Sequence, residues 1–201
     1  MDFSIVRSAL QKKGYKVSCF ESAPDASAYL NQVIDGKSVG FGGSETVKEM
    51  GLYTTLGAHN IVLGREHHTA GADPKVVREL ASQTQIYIMS ANGVAMTGEI
   101  VNIDAIGNRV ASALYGHDKV YFIIGANKIE ADCGAAIFRA RNVAAPLNAK
   151  RMHKKTPCAE KGDKCYDCQS PERICRALTV LWEKPEGCEY EVVLINEKLG
   201  L

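Results

Sequence analysis

An open, mostly parallel α/β sheet with flanking helices is the fold class this 201-residue sequence predicts, and three observations carry the prediction. Strand-like and helix-period segments alternate through the first half of the chain. Two continuous apolar runs, Ile86-Tyr87-Ile88-Met89 and Val120-Tyr121-Phe122-Ile123-Ile124, have the texture of strands buried on both faces. A glycine-rich stretch, Gly40-Phe41-Gly42-Gly43, leads from a strand into a helix, as loops at the carboxyl edge of such sheets do.

Phe3, Val6, Ala9 and Leu10 recur at helical spacing and stop at Gly14, a residue suited to the left-handed turn beyond a helix end. Val17-Ser18-Cys19-Phe20 then reads as a strand. Pro24 opens a helix carrying Tyr29, Leu30, Val33 and Ile34, and Ser38-Val39-Gly40-Phe41 is the second strand. A short helix is expected from about Ser44, a third strand at Ile61-Val62-Leu63, and a helix capped by Asp73 and begun by Pro74. Ile86-Tyr87-Ile88-Met89 is the fourth strand. Residues 99–114 predict an antiparallel hairpin, with Glu99-Ile100-Val101-Asn102-Ile103 and Arg109-Val110-Ala111-Ser112-Ala113 flanking Gly107-Asn108. A buried strand at 120–124, a helix near 130–142 and a last strand at 191–195 complete a single domain over 1–201.

Lys and Arg total 24 against 23 Asp and Glu, leaving a formal charge of +1 and no basic excess for nonspecific nucleic-acid or membrane-surface binding. No apolar run approaches the roughly 20 residues of a membrane span. The opening residues lack the basic-then-apolar order of a signal peptide, so a cytoplasmic location is expected.

The segment 150–176 differs in texture, with eight Lys or Arg against four Asp or Glu and few apolar residues. It reads as a cysteine-rich insertion, a loop or lobe before the last strand, organised by something other than burial. Four of the seven cysteines, Cys158, Cys165, Cys168 and Cys175, fall there as C-x6-C-x2-C-x6-C. In a reducing compartment such clustering points to a metal centre rather than disulfides. Zinc sites usually pair two close knuckles. A single C-x-x-C between two long intervals instead resembles the iron–sulfur loop of endonuclease III-type DNA glycosylases, differing by one residue in the last interval. The expectation is a [4Fe-4S] cluster, with zinc as the alternative.

Gly42, Gly43, Ser44 and Thr46 can cradle a phosphate or carboxylate at a helix start, or Ser44 can simply cap the helix. After the fourth strand, Asn92, Thr97, Asn102 and Arg109 can orient an anionic or hydroxylated ligand, with Glu99 as nucleophile or base. On pattern alone, the plainer reading prevails, with Glu99 and Asp104 as solvated hairpin residues and the Asn residues as turn formers. His67-His68 suggests a surface loop. The basic run 150–155 suggests the solvated approach to an anionic cysteine cluster or acidic partner.

Gly42-Gly43-Ser44, the run from Thr97 to Asp104 with Gly107-Asn108-Arg109, and the run from Arg141 to Lys150 together resemble the lactate-utilisation (LUD) domain family over most of the chain. Its fold is similar to the ribose-5-phosphate isomerase, glucosamine-6-phosphate deaminase and CoA-transferase group. There, ligands lie over a glycine-rich loop and an acidic residue from a later strand, which implies Gly42, Gly43, Ser44 and Glu99 here. The resemblance implies a part in oxidation of lactate or a related small carboxylate, together with iron–sulfur partner subunits. A transferase or isomerase using Glu99 with a structural metal, and a zinc-stabilised binding module, are the competing expectations.

Overall fold

The computed structural model describes residues 1–64 and 71–201. Helix α1 (Ser4–Lys12) buries Val6 and Leu10, one turn apart, and Gly14 supplies the left-handed residue at φ 86° that turns the chain into β1 (Lys16–Phe20). Ser22 accepts the Asp25 N–H and Pro24 occupies the first turn of α2 (Ala23–Val33), which buries Ala26 and Leu30. Next come β2 (Ser38–Phe41), α3 (Glu45–Glu49), α4 (Leu52–Gly57) and β3 (Ile61–Leu63). Asp73 accepts the Lys75 N–H at the start of α5 (Pro74–Ala81), followed by β4 (Ile86–Met89), β5 (Gly93–Ala95) and β6 (Ile100–Asp104).

The chain continues through α6 (Asn108–Leu114), β7 (Lys119–Gly125), β8 (Ile129–Glu130) and α7 (Cys133–Arg139). A π-helical turn over Ala140–Ala144 joins α7 to α8 (Ala145–Arg151). Pro146 has no N–H for the Asn142 carbonyl, which loosens the helical ladder there. Last come α9 (Pro157–Lys161), β9 (Ala177–Leu181) and β10 (Glu189–Ile195).

Among the described residues, β1-β10-β7-β4-β2-β3 form one sheet in that order, every pair parallel. Period-two alternation divides its side chains between two cores. Met89, Phe122, Ile124, Val192 and Leu194 pack with Val6 and Leu10 on one face. Ile88, Tyr121, Ile123 and Val193 pack with Leu30, Leu52 and Leu56 on the other. A smaller mixed sheet, β8-β5-β6-β9, covers the first face with Val94, Ile100 and Leu181. Its outer face packs Ala95, Val101 and Ile103 on Ala136, Ala140 and Ala145.

The expected hairpin over 99–114 is corrected. Asp104 Oδ1 accepts from the N–H groups of Ala105, Ile106 and Gly107, at 2.7, 3.1 and 3.2 Å. Gly107, at φ 95°, then turns the chain into α6. The antiparallel partners of β6 are β5 and β9. The helix expected near 130–142 starts later and runs through the π turn to Arg151. The segment 150–176 contains α9, with Thr156 and Ala159 buried, and β9 stands between it and the final strand. Its expected metal-binding character is not displayed: among the described residues, no three His, Cys, Asp or Glu side chains converge as a metal site. No helix among the described residues is long and apolar enough to cross a membrane. His67 and His68 lie outside the described residues.

Candidate functional site

A cavity of about 270 Å³ opens beyond the carboxyl ends of β2 and β4, where Phe41 and Ser90 leave the large sheet. That is slightly below the range of roughly 300–1,000 Å³ typical for drug-sized ligands, so it suits a small metabolite. At one wall, a Cβ on Gly43 would meet nothing within 4 Å, leaving backbone open to the cavity. Ser44 accepts the Val47 N–H at 3.3 Å, so its hydroxyl caps α3, a helix of only five residues. A Cβ on Gly42 would lie 3.1 Å from both Arg109 Cγ and the Tyr87 hydroxyl oxygen, so glycine allows Arg109 to pack against this turn. Arg109 Nε stands 3.2 Å from Asp104 Oδ2, and its Nη2 donates to the Ile103 carbonyl at 2.7 Å.

Lys128 reaches this cavity from the short turn after β7. It is 4% exposed, and its Nζ donates to Thr46 Oγ1 at 2.7 Å and Ser90 Oγ at 2.9 Å. Burial first, and then the nearby Arg139 and Arg109 guanidiniums, push its amine down to about 7 against a weak opposing pull from Glu49. Thr46 in turn donates to the Leu199 carbonyl at 3.3 Å, fastening the C-terminal residues to the same place. Arg151, another lining residue, pairs with Glu45 at 3.0 Å.

Cys158, Cys165, Cys168 and Cys175 all line a second, narrow pocket, together with Arg141, Arg173 and Ile174. The loop bends sharply: Asp167 adopts φ 47° within Cys165-Tyr166-Asp167-Cys168 and donates its N–H to Cys165 Sγ at 3.3 Å. Asn142, in the π turn, accepts the Cys165 N–H at 3.2 Å. Arg141 hydrogen-bonds Asp167, and Arg173 donates to the Cys168 carbonyl at 2.9 Å and to Cys175 Sγ at 3.4 Å. Thr156 Oγ1 lies 3.3 Å from Cys158 Sγ. Ala145 and Ile174 line both pockets, so the two are adjacent.

Of the residues singled out from sequence, Gly43, Ser44, Asn92 and Arg109 line the first cavity. Gly42 lies beneath Arg109, and Thr46 holds Lys128. Asn92 Oδ1 accepts the Ile103 N–H at 2.8 Å, which fixes the strand beside the cavity. Thr97, Glu99 and Asn102 are outside its wall. Glu99 pairs with Lys13 at 3.0 Å and accepts a hydrogen bond from Thr97. Burial opposes ionisation of Glu99, but those two partners outweigh it and keep the carboxyl below its ordinary range. Asn102 is buried in β6, its Oδ1 without a hydrogen-bond partner among the described residues. Sequence reasoning missed Lys128, and it gave Ser90 and Asp104, the two ends of the polar stretch after the fourth strand, no role of their own in the site. Ser90 and Lys128 share a positional signal, since both closely follow buried parallel strands at the edge where α/β sheets bind ligands.

A family profile described as "LUD domain" matches residues 4–195. Among solved structures, a DUF162 family protein from Deinococcus radiodurans superposes with a TM-score of 0.53 at 11% identity, covering 97% of this chain and 99% of that one. At that identity the likeness concerns the fold alone. No curated protein matches the sequence.

Proposed function

The chain belongs to the LUD domain family, and on that premise we propose that it serves the oxidation of lactate or a related small carboxylate in the cytoplasm, as an iron–sulfur accessory to partner subunits. Membership of the family supports a role related to lactate utilisation. The observation that carries the finer reading is the adjacency of the two pockets through Ala145 and Ile174. A small-acid site and a thiol-lined site are thereby neighbours.

The cysteine pocket fits a cluster by the chemistry of its donors. Four cysteines line one pocket without converging as a preformed ligand set, amide and guanidinium N–H groups reach the sulfurs of Cys165 and Cys175, and Arg173 Nε is buried without a partner among the described residues. Thiolates and N–H donors to sulfur are the surroundings that iron–sulfur clusters take. Cys158, Cys165, Cys168 and Cys175 would hold it, and Arg141 and Arg173 would offset its negative charge. When bound, the group supplies one-electron transfer. In the neighbouring cavity, Arg109 and the backbone at Gly43 attract and orient the carboxylate, while Asp104 holds Arg109 in place. The alternative using Glu99 as catalyst gains no support from its pairing with Lys13 and Thr97 outside the cavity wall.

The test is anaerobic purification followed by iron, sulfide and zinc analysis of the wild type, Cys168→Ser and Cys133→Ser. The wild type should carry iron and sulfide, Cys168→Ser should lose them, and Cys133→Ser should keep them. Zinc without iron would move the protein to the structural-metal reading. Equal loss in both variants would remove the assignment of the four ligands.

A further inference from the structure

Resting on the reading of the first cavity as a small-carboxylate site, we infer that Lys128 is its nucleophile and that the ligand it selects is a 2-oxo acid, held as an imine on Nζ. A buried ammonium ordinarily needs a counter-ion. Here the amine contacts two neutral hydroxyls, and no carboxylate forms an ion pair with it among the described residues. The charged groups that act on it are Arg139 and Arg109, both repelling a proton, and Glu49, which retains one. Arg139 is held in place by the Asn127 and Asn92 carbonyls and by Glu130 at 3.6 Å.

Geometry and charge lead to the same state. One tetrahedral position of Nζ is taken by its own side chain and two by the N–H bonds to Thr46 and Ser90, leaving the fourth for a lone pair in the neutral amine. At an amine pushed down to about 7, a large share of the protein carries that lone pair at neutral pH. Burial beside other cations is how lysines become imine-forming nucleophiles. The same positive surroundings attract the carboxylate of the ligand. A 2-hydroxy acid has no carbonyl and can bind here only without a covalent bond.

The chemistry balances without an oxidant or reductant. The Nζ lone pair forms a bond to the carbonyl carbon while the carbonyl π pair moves to oxygen, which takes up a proton. Loss of water from the resulting carbinolamine leaves the C=N bond. The sum is amine plus 2-oxo acid giving imine plus water.

The experiment treats the wild-type protein with pyruvate and borohydride, measures intact mass, maps the labelled peptide and titrates pyruvate and lactate calorimetrically into the same preparation. The expected result is one reduced adduct per chain, on Lys128, suppressed by excess lactate. Its initial rate of formation should fall roughly tenfold between pH 8 and pH 6 as Nζ protonates. Lys128→Arg should abolish the adduct, while peptide mapping on the wild type gives the answer independently of how that variant folds. Pyruvate binding without a specific adduct on Lys128 would overturn the imine and leave the small-carboxylate reading standing. Absence of binding by both acids, with no adduct, would overturn both.

Discussion

Gly43 is where the role of the glycine turn separates most cleanly from its structural duty. Its backbone is outside the left-handed region and a side chain there would enter open space, so Gly43→Val should fold normally. The added methyl groups would occupy the approach to the backbone, so affinity for lactate or pyruvate should fall by an order of magnitude or more in calorimetry. Affinity equal to wild type would reduce the turn to a cap for α3. The motif Gly42-Gly43-Ser44 was visible in sequence because glycines before a helix are a local signal. Lys128 was not, since a lysine after a strand reads as surface until Thr46 and Ser90, distant in sequence, are seen to enclose it.

At the scale of elements, the bend between β6 and α6 depends on Asp104, which accepts three successive N–H groups and pairs with Arg109. Asp104→Ala leaves those three donors without their acceptor and a largely buried guanidinium without its counter-charge, a loss of roughly 3 kcal/mol. Urea denaturation should show the lowered midpoint, and anion affinity should fall with it because Arg109 is released. An unchanged midpoint would mean that the turn is held by its backbone alone. This is also where the sequence pattern misled: Gly107-Asn108 is a strong local hairpin signal, yet Arg109-Val110-Ala111-Ser112-Ala113 is equally compatible with a helix. The choice was made by β9, which takes the antiparallel edge of β6 that the hairpin would have used.

For the whole molecule, Glu191 joins the edge of the large sheet to its neighbours. It is fully buried and receives hydrogen bonds from Ser18 on β1, Tyr29 on α2 and Lys119 on β7, with Lys16 at 3.1 Å. Burial opposes its charge, but those donors prevail and hold the carboxyl down to about 2. Because this is below its unfolded value, the contribution to stability is complete above pH 4.5 and disappears as pH falls towards 2. Glu191→Gln should therefore lower the denaturation midpoint most at pH 7, with the gap to wild type closing progressively below pH 4.5. A gap independent of pH would point to packing instead. The sequence by itself determined the parallel strands, the helices with their own caps and the cysteine spacing, because continuous apolar runs, capping side chains and ligand intervals are local properties. Only the tertiary structure decided the smaller sheet, the separation of Glu99 from the cavity and the adjacency of cavity and cysteines through Ala145 and Ile174. Short strands such as β5 and β8 carry too few residues to announce a period, and their pairing energy comes from partners far along the chain.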